Sequence, residues 1–407
     1  MDITITPALL SGRVAAPPSK SVGHRLIISA ALSKGKSVIS NISRSNDIEA
    51  TINAMVALGA KIDVSGDKAT VLGIETPSKE AEIDCCESGS TLRFIIPIAA
   101  ALGVRTRFLG KGKLPTRPIT PYLRELTKGG ITFDYNGSMP FSISGQLKSG
   151  DYELEGDISS QFVTGLIFAL TMTDGKSRIK MLSPLQSKPY VDITIDCLKK
   201  FGADITELCD GWEIKGKRLV SSNQIIEGDY SQAAFFYVAN ALGSDIEIEG
   251  LDPLSVQGDR KIAEICRESV NGNGKDKIIS PFSLDCSDIP DLVPILTVLA
   301  SFADGKSELT NIRRLRIKES DRIAAISECL NSVGGRVKAY DDKLVIEGVK
   351  NLSGGTVDSY NDHRIAMSMA IAAIKCTDTL KITNAECVKK SYPDFFEVYN
   401  KLNGKAV

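Results

Sequence analysis

The sequence predicts an α/β protein of two or three domains, built from one β/α unit that repeats along the chain. The chain has 407 residues, which is enough for more than one hydrophobic core. A polar stretch rich in Ser, Asp or Asn opens directly into an apolar helix six times, at gaps of about 69, 71, 71, 58 and 73 residues. The openings fall near Ser19, Ser88, Ser159, Tyr230, Asp288 and Asn361.

A second pattern alternates with the first. It is an apolar helix that ends in glycine and is followed by two short strands around a polar turn. The glycine predicts a left-handed helix stop, and the apolar/polar alternation that follows has the period of a strand. The clear copies span residues 52–73, 123–145, 196–216 and 326–348, and a weaker copy spans 260–284.

The helices that follow the polar openings are apolar on nearly all sides, so we expect them to be buried. Their polar openings are then the ends that meet solvent. A helix N-terminus carries partial positive charge and unpaired N–H donors, which suits it to anions. Ordinary capping by Ser, Asp or Asn is the alternative explanation. Capping alone does not explain why Lys20, Arg25, Arg93 and Arg364 lie in the same openings.

Composition excludes several classes of protein. The net charge of −1 gives no general attraction to nucleic acid or to anionic membranes. No apolar run reaches the ~20 residues of a membrane span, and the N-terminus lacks a signal-peptide pattern. Nine scattered cysteines without a CxxC pair favour free thiols in a reducing cytosol. Because His24 and His363 are the two histidines of the chain, we expect no metal site and no organic cofactor.

Several short motifs carry polar groups suited to anions. In "ESGSTLR", Gly89 lets an anion approach the backbone closely, and Arg93 follows four residues later. The loop "GKGKLPTRP" ends in Arg117 and is not a Walker P-loop, because no Gly-Lys-Ser/Thr follows its glycines. The "SSQ" stretch at 159–161 places two hydroxyls and an amide at a helix start. Each motif alone is weak evidence.

The stretch "RLRIKESDRIAA" has five charges between Arg316 and Arg322 and then becomes apolar. Most charge runs are simply a solvated surface. The alternative is a set of acid, base and anion-binding groups held in one place.

Taken together and in order, these stretches resemble the 5-enolpyruvylshikimate-3-phosphate synthase family, from "PPSKSVGHR" to "KKSYPDFF". The "YNDHRIAM" and "RIKESDR" stretches are the most specific. The resemblance implies an inverse αβ barrel with two domains, each of three βαβαββ repeats. It also implies a discontinuous domain of residues 1–13 plus 228–407, an inserted domain of residues 14–227, and an active site in the cleft between them.

The resemblance implies an enzyme of the shikimate pathway, which leads to chorismate and the aromatic amino acids. It moves the enolpyruvyl group of phosphoenolpyruvate to the 5-hydroxyl of shikimate 3-phosphate and releases phosphate, as a cytoplasmic monomer. The implied shikimate 3-phosphate residues are Lys20, Ser21, Arg25, Ser159, Ser160, Gln161, Ser187, Tyr190, Asp291 and Lys318. The implied phosphoenolpyruvate residues are Lys20, Gly89, Arg93, Arg117, Gln161, Glu319, Arg322, Asp362, Arg364 and Lys390.

The reaction needs one group that protonates the methylene carbon and another that accepts the hydroxyl proton. By resemblance, Asp291 is the acceptor and Glu319 lies at the methylene. Lys20 is a partner in either proton transfer or in stabilising the departing phosphate. In this interpretation Lys318, Glu319 and Arg322 of the charge run are site residues.

Two alternatives remain. The sister enolpyruvyl transferase that acts on UDP-N-acetylglucosamine shares the fold and the donor, but it uses a loop cysteine, whereas "GKGKLPTRP" has none. A non-catalytic repeat protein that binds anions or RNA would need a basic chain with aromatic stacking platforms. The net charge and the 6% aromatic content argue against it.

Overall fold

The computed structural model describes residues 1–272 and 277–407. In chain order, the α-helices of this part are α1 (Lys20–Leu32), α2 (Asn46–Ala57), α3 (Gly89–Leu102), α4 (Thr120–Lys128), α5 (Ser160–Leu170), α6 (Lys188–Lys200), α7 (Tyr230–Ala241), α8 (Lys261–Ser269), α9 (Val293–Ala300), α10 (Arg322–Ser332), α11 (His363–Ala372) and α12 (Phe395–Lys401).

The strands of the first half of the chain are β1 (Ile3–Ile5), β2 (Ser11–Ala15), β3 (Ser33–Lys34), β4 (Lys36–Ser40), β5 (Lys61–Ser65), β6 (Lys68–Leu72), β7 (Glu80–Asp84), β8 (Arg105–Leu109), β9 (Ile131–Asp134), β10 (Phe141–Gly145), β11 (Asp151–Leu154), β12 (Lys176–Met181), β13 (Asp204–Leu208), β14 (Gly211–Lys215), β15 (Leu219–Val220) and β16 (Gln224–Ile225). Those that follow are β17 (Asp245–Glu249), β18 (Val270–Asn271), β19 (Ile278–Ile279), β20 (Ser283–Asp285), β21 (Lys306–Thr310), β22 (Val337–Ala339), β23 (Lys343–Glu347), β24 (Gly355–Asp358) and β25 (Leu380–Thr383).

The chain forms two compact units. The inserted unit comprises residues 18–227, and the discontinuous unit comprises residues 1–17 and 228–407. Each unit has a hydrophobic core of its own. The discontinuous unit extends past the predicted boundary at Arg13, because β2 pairs in parallel with β17 and thereby joins the first residues to the second half of the chain.

One sheet topology occurs three times in the inserted unit. The four-stranded sheets have the orders β16-β4-β6-β5, β7-β8-β10-β9 and β11-β12-β14-β13. In each, the first pair is parallel and the next two pairs are antiparallel. The antiparallel pairs at the ends of these sheets are the predicted double strands, for example β5 with β6, where Ser65 faces Lys68 across the turn.

The discontinuous unit repeats this topology in the sheet β20-β21-β23-β22. A second sheet, β1-β25-β24, is completed by the N-terminal strand, which runs antiparallel to β25. The weaker sequence copy corresponds to α8, β18 and β19, and residues 273–276 of its predicted turn lie outside the described residues.

The predicted glycine stops are confirmed in all four clear copies. The φ angles are 118° at Gly59, 91° at Gly130, 84° at Gly202 and 90° at Gly334. Residues with a side chain adopt positive φ angles only at a cost in conformational free energy, which glycine avoids.

The helices after the polar openings are buried, as predicted. Every residue of α9 and of α11 is buried, and so are all but two residues of α3. The opening predicted near Asp288 differs in detail, because a 3₁₀ turn at Pro290–Leu292 comes first and α9 begins only at Val293. Pro294 in the first turn of α9 fits this start, since a proline lacks the N–H that later helix positions need.

The backbones of α3 and α5 approach closely at Gly165. A Cβ atom added to Gly165 would lie 2.2 Å from the carbonyl oxygen of Arg93 and 2.3 Å from the hydroxyl of Tyr122. The single hydrogen of that hydroxyl is shared between the carbonyl oxygens of Arg93, at 2.7 Å, and Phe162, at 2.9 Å. The close approach therefore depends on a residue without a side chain.

We expect Gly165→Ala to lower the free energy of unfolding by about 1–3 kcal/mol, because the added methyl group forces the two helices apart. Trp212, the one tryptophan of the chain, is buried in the inserted unit and reports this transition by fluorescence in urea. Gly150→Ala is the control, since nothing lies within 4 Å of its added Cβ atom. Equal stability of the two variants would contradict the prediction.

Candidate active site

The structure brings five of the predicted residues together in the discontinuous unit. We call this group the Arg322 cluster, and its members are Asp291, Glu319, Arg322, Asp362 and Arg364. They come from helix openings: Asp291 lies in the 3₁₀ turn before α9, Arg322 begins α10, and Asp362 is the N-cap of α11. Polar openings that are far apart in the sequence therefore supply one polar group of side chains.

The guanidinium of Arg322 is held by three carboxylates. Its Nε donates to Asp362 Oδ2 at 2.8 Å, Nη1 to Asp291 Oδ1 at 2.9 Å, and Nη2 to Glu319 Oε2 at 2.8 Å. Arg322 is 2% exposed and Asp362 is fully buried. Asp362 also accepts hydrogen bonds from the hydroxyl of Ser320 and from the backbone N–H of Arg364. The N–H donors of a guanidinium lie in one plane at fixed angles, so Arg322 fixes the positions of all three carboxylates.

Arg364 holds Asp291 from a second direction. Its Nη2 donates to Asp291 Oδ2 at 2.8 Å, and its Nη1 donates to the carbonyl oxygen of Asp291 at 3.1 Å. Asp291 thus lies between two arginines, and one of its carboxylate oxygens bonds to each.

The charges of the cluster shift the pKa values of its members. Burial raises the pKa of Asp291, but Arg364, Lys318 and Arg322 outweigh it and hold that pKa well below its usual range. Burial lowers the pKa of Lys318 to about 8, although Asp291 opposes the change. Burial also opposes the charge on Arg322, yet its three carboxylates raise its pKa. Asp291 is therefore ionised at neutral pH. The pKa of Lys318, about 8, lies close to neutral pH.

Asp259 is a buried carboxyl group that the sequence analysis missed. It accepts a hydrogen bond from the hydroxyl of Ser231, which lies on α7. Burial and the negative charge of Asp291 raise the pKa of Asp259 to about 7. Asp259 lies in a Gln-Gly-Asp stretch outside the six repeated helix openings, and no sequence pattern marks this stretch as part of a functional site.

The charge run of residues 316–322 divides between the cluster and the surface. Glu319 and Arg322 belong to the Arg322 cluster, and Lys318 interacts electrostatically with Asp291. Arg316 instead pairs with Asp321 at 2.9 Å, and its other guanidinium nitrogens donate to backbone carbonyls. Part of the run is therefore buried in the Arg322 cluster, and part of it forms a partly exposed ion pair.

A second group surrounds Arg25 in the inserted unit. The guanidinium of Arg25 donates to the carbonyl oxygens of Ser21 and Tyr190, at 2.7 and 2.9 Å, and to the hydroxyl of Thr194 at 2.8 Å. It also lies 5.1 Å from the centre of the Phe94 ring. Burial lowers the pKa of Arg25 to about 10, because these hydrogen-bonding partners are neutral. The predicted residues Ser21, Arg25 and Tyr190 are thus neighbours.

A third group surrounds the opening of α3. An added Cβ on Gly89 would lie 2.8 Å from Nη1 of Arg117 and 3.0 Å from Nη1 of Arg93, so both guanidinium groups lie against this turn. Arg93 Nη1 donates to the amide oxygen of Gln161 at 2.8 Å, and Gln161 Nε2 donates to the hydroxyl of Ser90 at 3.0 Å. A side chain at position 89 would displace these cations.

The remaining predicted residues lie at helix ends. Lys20 begins α1, and its ammonium pairs at 2.9 Å with Asp47, a residue that the sequence analysis did not identify. Ser159 caps α5 by accepting from the N–H of Gln161, and Ser160 is the first residue of that helix. Ser187 precedes α6 in a left-handed conformation. Lys390 is buried at the end of a 3₁₀ turn in the discontinuous unit.

Comparison with known proteins identifies the family. Residues 5–399 match the family model described as EPSP synthase (3-phosphoshikimate 1-carboxyvinyltransferase). The chain belongs to the EPSP synthase family. The predicted family is thereby confirmed.

Curated relatives and solved structures agree with this assignment. The chain is 45% identical to 3-phosphoshikimate 1-carboxyvinyltransferase of Clostridium kluyveri, over 99% of this chain and 97% of that protein. It is 42% identical to the enzyme of the same name from Clostridium beijerinckii, over 99% and 98% of the two chains. The structure of EPSP synthase from Acinetobacter baumannii matches with a TM-score of 0.82 and 25% identity, over 100% and 99% of the chains. The predicted fold class is confirmed.

No helix in residues 1–272 or 277–407 is both long enough and apolar enough to cross a membrane.

We expect Asp362→Ala to lower the free energy of unfolding by about 3–5 kcal/mol, because it leaves the buried Arg322 with an incompletely compensated charge. Urea denaturation followed by circular dichroism measures this loss. Asp341→Ala is the control, since Asp341 forms an exposed ion pair with Arg313 and should contribute less than about 1 kcal/mol. A similar small loss in both variants would contradict the prediction.

Proposed function

We propose that this chain transfers the enolpyruvyl group of phosphoenolpyruvate to the 5-hydroxyl of shikimate 3-phosphate, giving 5-enolpyruvylshikimate 3-phosphate and phosphate. The function of EPSP synthase in the shikimate pathway is supported by the family match and by the named relatives. The structural observation that carries the chemistry is the pair of carboxylates, Asp291 and Glu319, held on one guanidinium.

We propose the following substrate contacts from the predicted motifs and their geometry. Both substrates are polyanions, so they need cations and N–H donors. Shikimate 3-phosphate is assigned to Lys20, Ser21, Arg25, Ser159, Ser160, Gln161, Ser187, Tyr190, Asp291 and Lys318. Phosphoenolpyruvate is assigned to Lys20, Gly89, Arg93, Arg117, Gln161, Glu319, Arg322, Asp362, Arg364 and Lys390. The grouping of Gly89 with Arg93, Arg117 and Gln161 supports this second set.

The environment of Asp291 suggests when it becomes a base. Its two arginines and Lys318 keep it ionised but weakly basic. Substrate anions that bind these cations compensate their charge, and this raises the pKa of Asp291 toward the range of a useful general base. We therefore propose that substrate binding prepares Asp291 to accept the hydroxyl proton.

Glu319, in its protonated form, is proposed to donate a proton to the methylene carbon of phosphoenolpyruvate, while the 5-hydroxyl gives its proton to Asp291 and its oxygen adds to the adjacent carbon. This gives a tetrahedral intermediate. Its breakdown breaks the bond from that carbon to the phosphate oxygen, releases phosphate and returns one methyl proton to Glu319. Lys20, whose ammonium is fixed by Asp47, is proposed to stabilise the departing phosphate or to assist either proton transfer.

The alternatives are not favoured. The relatives reported above carry the name 3-phosphoshikimate 1-carboxyvinyltransferase rather than that of an enzyme acting on UDP-N-acetylglucosamine. The loop that would supply the sister enzyme's cysteine places Arg117 against Gly89 instead.

We also propose that the protein acts in the cytoplasm as a monomer. Its nine cysteines are free thiols, which suits a reducing compartment.

The test of this function is phosphate release from phosphoenolpyruvate in a coupled assay. We expect turnover with shikimate 3-phosphate and none with UDP-N-acetylglucosamine as the acceptor. Turnover with the nucleotide sugar alone would establish the sister activity, and the absence of turnover with both acceptors would favour a non-catalytic protein.

We expect Asp291→Asn and Glu319→Gln each to lower kcat by about 10²–10⁴-fold, because each amide keeps the shape of the side chain but removes its basicity. Binding of shikimate 3-phosphate should survive, since neither carboxylate supplies positive charge to it and an amide at position 291 can still hydrogen-bond its hydroxyl. Turnover, calorimetric affinity and melting temperature are measured together. Near-normal turnover with a lowered melting temperature would show that the two residues are structural partners of Arg322.

A further inference from the structure

The buried face of α2 connects two of the proposed substrate-binding openings within the inserted unit. Asp47 and Thr51 are four residues apart and therefore lie on one face of α2. Asp47 pairs with Lys20 at the start of α1. The Thr51 hydroxyl lies 2.7 Å from Nδ1 of His24 on α1 and 2.7 Å from the hydroxyl of Thr91 on α3.

These bonds form one continuous chain of polar groups. The Thr91 hydroxyl donates to the hydroxyl of Ser88 at 2.8 Å, and Ser88 is the N-cap residue directly before Gly89. Ser88, Thr91 and Thr51 are fully buried, and His24 is 1% exposed. This hydrogen-bonded network therefore runs from α1 through α2 to the turn at Gly89, and it is shielded from water.

The direction of the donors follows from the number of hydrogens. A threonine hydroxyl has one hydrogen, and that of Thr91 is directed at Ser88. With this assignment Thr51 donates to Thr91, and Nδ1 of His24 donates to Thr51. The imidazole is neutral, because burial, Lys20 and Arg25 lower the pKa of His24 well below its ordinary value.

We propose that Thr51 is a positioning residue for the enolpyruvyl donor. Its two hydrogen bonds keep the α3 opening at Gly89 in register with the α1 opening at Lys20. This inference rests on the proposed function, which assigns phosphoenolpyruvate to both openings. Lys20 is also assigned to shikimate 3-phosphate, but its ammonium is held by Asp47 and should stay in place when Thr51 is changed.

The expected effect concerns one substrate more than the other. The Arg25 group is held by Tyr190 and Thr194 on α6 and does not use Thr51. Removing the hydrogen bonds of Thr51 should therefore disturb the Gly89 turn while leaving the Arg25 group in place. A general loss of stability would not distinguish the two substrates in this way.

The test compares Thr51→Val with Thr51→Ser. Valine has nearly the same shape but no hydroxyl, so we expect the KM for phosphoenolpyruvate to rise about tenfold, the effect of losing one or two buried hydrogen bonds. The KM for shikimate 3-phosphate should stay within about twofold of the wild-type value. Thr51→Ser restores the hydroxyl and should have near wild-type KM values for both substrates.

Thr106→Val is the matched control for the loss of a buried hydroxyl. Thr106 is fully buried in the same unit. Its hydroxyl donates to the carbonyl oxygen of Val104 and takes no part in the hydrogen bonds of Thr51. We expect a lowered melting temperature and no change in either KM. If Thr51→Val does not fold, Thr91→Val removes the other end of the same hydrogen bond and should show the same difference between substrates.

Two results would overturn the inference. With an active wild-type enzyme, an unchanged KM for phosphoenolpyruvate in Thr51→Val, or an equal rise in both KM values, would show that Thr51 has a structural role alone. An inactive wild-type enzyme in the same assay would instead overturn the proposed function, and the inference with it.

Discussion

Burial of helices along their whole length is the constraint on which the rest of this structure depends. A helix with no solvent-facing side, such as α9 or α11, can present polar groups only at its ends. The N-terminal end also carries unpaired N–H groups and partial positive charge. Repeating this arrangement concentrates caps, cations and carboxylates at helix openings, and the proposed substrate contacts of the protein are found largely there.

The buried cations of these openings are compensated within the protein. Arg322 has three carboxylates, whereas Arg25 has neutral hydrogen-bond acceptors and a lowered pKa. An arriving anion must therefore exchange partners with groups already present, and its affinity is the difference between two sets of contacts. Arg25 should gain more from a phosphate than Arg322, because its hydrogen-bond partners among the described residues are a hydroxyl and two carbonyl oxygens, so it has no ion pair to break.

Much of the fold and part of the candidate site could be predicted from the sequence, because both follow from local patterns. The glycine stop at Gly59 and the alternation of β5 and β6 depend on a few consecutive residues, and so does the cap at Ser88. The assignment of individual residues to substrates came from family resemblance. The pairing of Lys20 with Asp47, and of Thr51 with Thr91, joins separate helices and leaves no periodic signal in the sequence. Asp259 was missed for the same reason, since its raised pKa depends on burial by the fold and on Asp291, which is 32 positions away in the sequence.

The chain order of the two units has a consequence for synthesis on the ribosome. The inserted unit is complete once residue 227 has been made, but β1 must wait for β25, close to the end of the chain. Domains generally fold as units as they emerge, so β1 is among the last strands to be paired, whereas β2 can pair once β17 has been made. An unpaired strand is a site for aggregation unless it is short or charged. β1 has three residues, and β2 has five with Arg13 at its centre, so both have features that oppose such aggregation.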